Sequence, residues 1–236
     1  MKPTHIAAAL LALLLPGGAF ADPITIFNTG LDSSSALLAP GSVDPHWTIT
    51  FSSGIFPGPD AFVPDDDSGF PFSPGFWFDN GPASQWIAPA LDEELGVDME
   101  YGFDALYIYS ATFDLTGFIP STASLSGLWA SDNQTLLILL NMSDTGIPPN
   151  CADSIADLTC FSMFHPFSIT SGFVDGVNTL DFVVLNGFGP SGLRVEIEGT
   201  ASPVPEPASL ILLGSGWLGL AARRRRARTG VAERRR

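Results

Sequence analysis

The side chains able to do chemistry are few, and most of them are acids. Cys151 and Cys160 are the only cysteines. In a chain bound for an oxidising compartment, two cysteines most often pair. A bridge here pins a loop over residues 148–161, and closing about ten residues stabilises by roughly 2–3 kcal/mol on the chain-entropy model. Zinc is the competing reading, but His165 is the one histidine nearby and two further ligands at conventional spacing are missing. No metal site is expected there. The densest acidic spot is Asp60 with Asp65, Asp66 and Asp67. Calcium takes about six to eight oxygen ligands, and loop carboxylates supply several of them. The spacing lacks the alternating acids and terminal Glu of an EF-hand. A solvated turn is therefore the first reading, with no cofactor expected and calcium the one cation left open.

Support for catalysis is thin. Residues 22–204 hold two histidines, His46 and His165, no lysine and no Gly-x-Ser-x-Gly elbow. Gly187, Gly189 and Gly192 spell G-x-G-x-x-G, but a strand pattern follows them where a nucleotide site needs a helix N-terminus. They read as a turn. A glycosidase pair of carboxylates has abundant acids to draw on, yet nothing singles out two of them. The expectation is a protein that is not an enzyme. Aromatic side chains are the remaining hint of ligand contact, since sugar rings stack on indoles. Trp77 and Trp86 flank a Gly/Pro-rich stretch and are candidate platforms, although filling the core is the weightier reading. Trp47 and Trp129 are expected in the core.

What must position these groups is a set of strands. Residues 106–115 alternate, with Tyr107, Tyr109, Ala111, Phe113 and Leu115 on one face and Ser110, Thr112 and Asp114 on the other. In residues 193–198, Leu193, Val195 and Ile197 point inward, and Arg194, Glu196 and Glu198 share the outer face. Arg194 beside two carboxylates reads as a surface ion pair worth about 0–1 kcal/mol. Further strands are expected at 24–27, 47–51, 84–88, 124–130, 135–140, 166–170 and 179–185, punctuated by Gly, Pro, Asn and Asp. Many short strands and almost no helix predict an all-β chain, an antiparallel, jelly-roll-like β-sandwich. Residues 55–82 are too irregular for strands and read as functional loops or a flap.

Charge and hydropathy set the two ends apart. Of 10 Lys and Arg, Lys2 is near the start and eight arginines lie beyond residue 222; residues 22–204 keep only Arg194. Removing Glu206 and Glu233 from the 25 acids leaves that body at about −22. Such a surface repels phosphate backbones and excludes nucleic acid as its partner. A weakly positive start, an apolar run over 6–15, a Pro16-Gly17-Gly18 break and small residues at Ala19 and Ala21 follow the plan of a secretory signal peptide. The expected domains are thus a signal helix over 1–21, an exported sandwich over 22–202, a sorting segment over 203–226 and a basic cytoplasmic tail over 227–236. In the third of these, Pro205-Glu206-Pro207 is stiff, residues 208–222 are apolar, and Arg223, Arg224, Arg225 and Arg226 close the run. Arginines of this kind stay on the cytoplasmic side, so the body lies outside the inner membrane. Fifteen helical residues reach only about 22 Å, short of a hydrocarbon core of about 30 Å; bilayer thinning and snorkelling offset part of the gap.

Pro205-Glu206-Pro207, the short hydrophobic helix and the arginine cluster resemble the PEP-CTERM sorting signal of Gram-negative bacteria. That resemblance implies secretion machinery and signal peptidase as partners, transient residence in the inner membrane, and processing near the motif by exosortase, a membrane-embedded transpeptidase-like enzyme. It implies a final location at the cell surface or in an extracellular matrix containing exopolysaccharide. Asp44-Pro45-His46-Trp47, Trp86-Ile87, the 129–133 stretch, Pro166-Phe167 and Gly176-Val177-Asn178-Thr179-Leu180 occur in an order resembling PEP-CTERM ectodomains, similar to galactose-binding-like jelly rolls. The resemblance makes Gly176–Leu180 the turn before a late strand and carries no catalytic residue. The expected function is an exported surface or matrix protein. A carbohydrate-binding module tethering exopolysaccharide is the alternative, and an exported glycosidase the more remote one.

Overall fold

The structure is a computed structural model that describes residues 21–54, 56–64, 71–72, 75–91, 105–152, 159–187, 189–205 and 216–217. Residues 1–20 of the expected signal helix, Asp65 to Asp67, Glu206, Pro207, most of the apolar run and Arg223 to Arg226 with the tail lie outside the described residues.

Among the described residues ten strands form two antiparallel sheets: β1 (Asp22–Pro23), β2 (Val43–Ser52), β3 (Asp60–Phe62), β4 (Ala105–Asp114), β5 (Ser124–Asp132), β6 (Gln134–Leu140), β7 (Ser143–Asp144), β8 (His165–Ile169), β9 (Val177–Asn186) and β10 (Gly192–Ala201). One sheet runs β1-β10-β5-β8 and the other β3-β2-β4-β9-β6-β7. Among the described residues the only helical pieces besides Gly216–Trp217 are a 3-10 turn at Pro120–Thr122 and α1 at Thr159–Ser162. The all-β sandwich is what the alternating strands predicted.

Alternation decides which faces meet. Tyr107, Tyr109 and Ala111 of β4 pair in register with Val184, Phe182 and Leu180 of β9, and all six are buried. From the facing sheet, Trp129 and Phe167 bring their rings to within 6.5 and 5.9 Å of Phe182, and Trp47 comes within 5.8 Å on the near side. Tilted and edge-to-face rings at these distances add to the free energy of burial itself. Trp47 and Trp129 thus sit in the core, 0% and 2% exposed.

Two expected strands became something else. Residues 24–27 follow the short β1 and keep only single ladder bonds such as Ile24 N–H to Gly199 O, 2.8 Å. Residues 84–88 form no strand but lace the open side of the sandwich: Ile87 bridges Leu193 of one sheet, and Ala88 bridges Phe62 of the other. The described parts of the irregular 55–82 stretch contain β3 and then wrap the outer face of β10.

Candidate functional site

The segment that leads into the sorting residues is held by backbone bonds at one end of the sandwich. β1 pairs with the last residues of β10, Asp22 with Ala201 and Pro23 with Thr200. Beyond β10 the chain is strapped to the loop after β4. Ser202 O accepts from Ile119 N–H at 2.8 Å, Ser202 N–H donates to Thr122 Oγ1 at 2.9 Å, Pro203 bridges Phe118, and Val204 N–H donates to Gly117 O at 2.8 Å. Gly117 has φ +85°, a conformation that side chains resist and glycine takes freely. Pro205 follows immediately and is exposed. The strap therefore releases the chain at the first residue of Pro205-Glu206-Pro207. Further on, Gly216 and Trp217 are helical and Trp217 is exposed. Among the described residues no helix is long and apolar enough to cross a membrane.

The opposite end holds the other candidates, and here two expectations need correcting. Trp77 and Trp86 are both fully buried, stacked with ring centroids 4.4 Å apart, and cannot serve as exposed sugar platforms. The cause is a second hydrophobic cluster that also contains Ala88, Ala130, Cys151, Cys160 and Phe161. Gly192 makes room for it: a Cβ there would lie 2.5 Å from the Trp77 ring. Each indole N–H finds a partner, Trp86 to Phe78 O at 3.0 Å and Trp77 to Asp132 Oδ2 at 2.7 Å.

Arg194 is the second correction. It lies on the outer face of β10 as alternation required, but that face is covered and Arg194 is 2% exposed. Its guanidinium lies 4.7 Å from the Phe78 ring centre and 5.0 Å from that of Phe164. Nε donates to Ser84 Oγ at 2.8 Å, Nη1 donates to Asp79 O, and Nη2 lies 3.8 Å from Glu196 Oε1. Ser84 in turn donates to Glu196 at 3.0 Å. Burial lowers the Arg194 pKa, and the Glu196 and Asp79 charges oppose that shift. This is an internal fastener holding residues 78–84 onto the sheet, not a surface pair.

Cys151 and Cys160 form the expected disulfide, Cα atoms 5.2 Å apart. Asn150, buried beside it, locks the loop to both sheets. It donates to Ser131 Oγ at 3.0 Å and Cys160 O at 3.1 Å, and accepts from Thr135 N–H at 2.8 Å. Sequence reasoning missed Asp132 altogether. Its carboxyl is buried, one oxygen takes the Trp77 N–H, and Oδ1 has no partner among the described residues. Burial pushes its pKa up to about 8, with the Trp77 bond opposing. Asp44 is also raised by burial, against three backbone N–H donors from Gly30, His46 and Trp47.

The remaining candidates are dispersed. Asp60 is exposed on β3, and no cluster of three or more His, Cys, Asp or Glu suited to a metal occurs among the described residues. His46 stacks on Phe27 with centroids 3.7 Å apart, while His165 contacts Thr159 O at 2.8 Å. Gly187 and Gly189 lie between β9 in one sheet and β10 in the other, and Gly192 opens β10.

Fold and strap together define an all-β sandwich that passes straight into a C-terminal segment of stiff motif, apolar run and arginines. Residues 203–226 of that segment match the PEP-CTERM protein-sorting motif. The chain carries this sorting signal, which supports exosortase-dependent sorting to the surface and makes exosortase its processing partner. Export and membrane-associated sorting follow from the same match. Comparison with curated proteins and with solved structures gives no match.

Proposed function

We propose that the protein is an exported, non-enzymatic β-sandwich delivered to the cell surface or extracellular matrix. The signal peptide is removed after Ala21 by signal peptidase, and exosortase processes the chain near Pro205-Glu206-Pro207. The apolar run and Arg223 to Arg226 hold that motif at the outer surface of the inner membrane, where an embedded enzyme reaches it. The observation that carries this reading is the match of residues 203–226 to the sorting motif, beginning where the sandwich releases its last strapped residues. A body of about −22 charge stays soluble beside copies of itself. Binding of neutral glycan no longer has Trp77 and Trp86 to support it, because both are buried.

Mass spectrometry of the full-length protein expressed in an exosortase-containing Gram-negative host tests the proposal. Protein recovered outside the cells is expected to begin at Asp22 and to lack residues 223–236. Extracellular protein that still carries the arginine tail would overturn it.

A further inference from the structure

Both membrane-directed segments leave the sandwich from the same end. The chain enters at Asp22, paired with Ala201, and departs at Val204, bonded to Gly117. The same end carries the last pair of β4 and β9, Asp114 with Val177, and Leu115 N–H donates to Gly176 O there. The turn after β6 belongs to it as well. Asn141 donates to Gly172 O and to Asn178 Oδ1, both at 2.9 Å, which sets Met142 beside residues 172–178.

This end is tipped with exposed apolar side chains. Met142 is 84% exposed, Val177 65%, Val204 53% and Val174 46%. Exposed apolar residues also occur near the other end, Met163 among them at 52%, so exposure alone does not choose between the two. The tether does. Val204 is fixed to the fold, and the apolar run begins at Ala208. Four Cα steps of about 3.8 Å span at most about 15 Å. A run seated in a membrane cannot leave this end of the body far from the lipid.

We infer that the chain-exit end of the sandwich is its lipid-facing surface, set against the headgroup region with Met142, Val174, Val177 and Val204 at the contact. The inference rests on the membrane-entering run of the proposed function. The only basic residue of the body, Arg194, is buried toward the far end, while Asp114, Asp144 and Asp175 surround the exit. An anionic surface repels this end, so the contact suits zwitterionic lipid. A docked body also presents Pro205 at the depth where an enzyme embedded in the bilayer works.

The test uses the full chain reconstituted in phosphatidylcholine vesicles that contain a headgroup-level spin-labelled lipid as quencher. Single cysteines labelled with an environment-sensitive fluorophore are placed by Val177→Cys, Met142→Cys, Met163→Cys and Trp217→Cys, and unchanged melting temperatures verify the fold. Labels at 177, 142 and 217 are expected to be quenched at least about threefold more than the label at 163. Strong quenching at 217, with 177 and 142 no different from 163, would overturn the inference while leaving the membrane-entering run intact. An unquenched label at 217 would overturn the run itself, and the inference with it.

Discussion

The two ends of this sandwich are fastened in different ways. At the exit end the fasteners are backbone bonds, one hydroxyl and two amides: Val204 to Gly117, Ile119 to Ser202, Ser202 to the Thr122 hydroxyl, and the buried Asn178, which joins Val174, Gly176 and the Asn141 amide. No ion is taken out of water there to hold the strap. The far end closes over a second hydrophobic cluster and buries a guanidinium, a carboxyl and a disulfide to do so. Backbone bonding tolerates water and can open locally at small cost, whereas a buried ion fails abruptly once its partners are lost. A segment handed to a processing enzyme benefits from the first kind of attachment. A cap over the far end of a loop-rich body benefits from the second.

The contrast breaks most directly at Arg194. Arg194→Ala removes the cation that binds Ser84 and the Asp79 carbonyl and that stacks between Phe78 and Phe164. A loss of about 3–5 kcal/mol in chemical denaturation is expected, the range for breaking a buried charged network. Arg194→Met keeps most of the volume and should lose clearly less. Equal losses from the two variants would show that the retained volume adds nothing and that the polar contacts alone matter.

Next in size is the disulfide. Replacing both Cys151 and Cys160 by Ser should cost about 2–3 kcal/mol, from a loop of about ten residues. Hydrogen exchange sharpens the comparison. Protection should fall around Asn150, Cys160 and Phe161, while the exit strap at Val204 and the β4–β9 ladder keep theirs. Matching losses at both ends would mean that the two behave as one cooperative unit.

The exit end was legible because its signals are local in the chain. The Pro-Glu-Pro motif, the apolar run and the arginines lie within about twenty residues, and the strands beside them alternate cleanly. Cysteine counting reached the disulfide for the same reason. The environment of Arg194 was not legible. Alternation put it correctly on the outer face of β10, but its cover comes from residues 78–84, more than a hundred positions away in a stretch without periodicity. Trp77 and Trp86 were ambiguous on the same account, since burial of a loop indole depends on which segment folds over it. Asp132 gave no signal at all: its partner Trp77 is 55 residues distant. β3 and β7, of three and two residues, are too short to show a period.

The finest separation of the two ends comes from pH. In the folded chain Asp132 keeps its proton to about pH 8, whereas the unfolded chain releases it near the ordinary carboxyl value of 3.8. Between those limits folding takes up a proton, so raising the pH favours the unfolded state. Stability from this group is complete below about pH 4 and is lost progressively up to about pH 8, at no more than about 1.4 kcal/mol per pH unit. Asp44, also raised by burial, acts in the same direction. Asp32 and Asp114, lowered by hydrogen bonds, act oppositely and only in more acid solution. Subtracting the curve of Asp132→Asn isolates the far-end carboxyl, because Asn can still accept the Trp77 N–H but does not titrate. Urea midpoints between pH 5 and pH 8 should fall with rising pH in the natural chain and vary less in the variant. Parallel curves would mean that Asp132 is ionised in the folded protein, and the far end would then hold a second buried charge opposite Arg194.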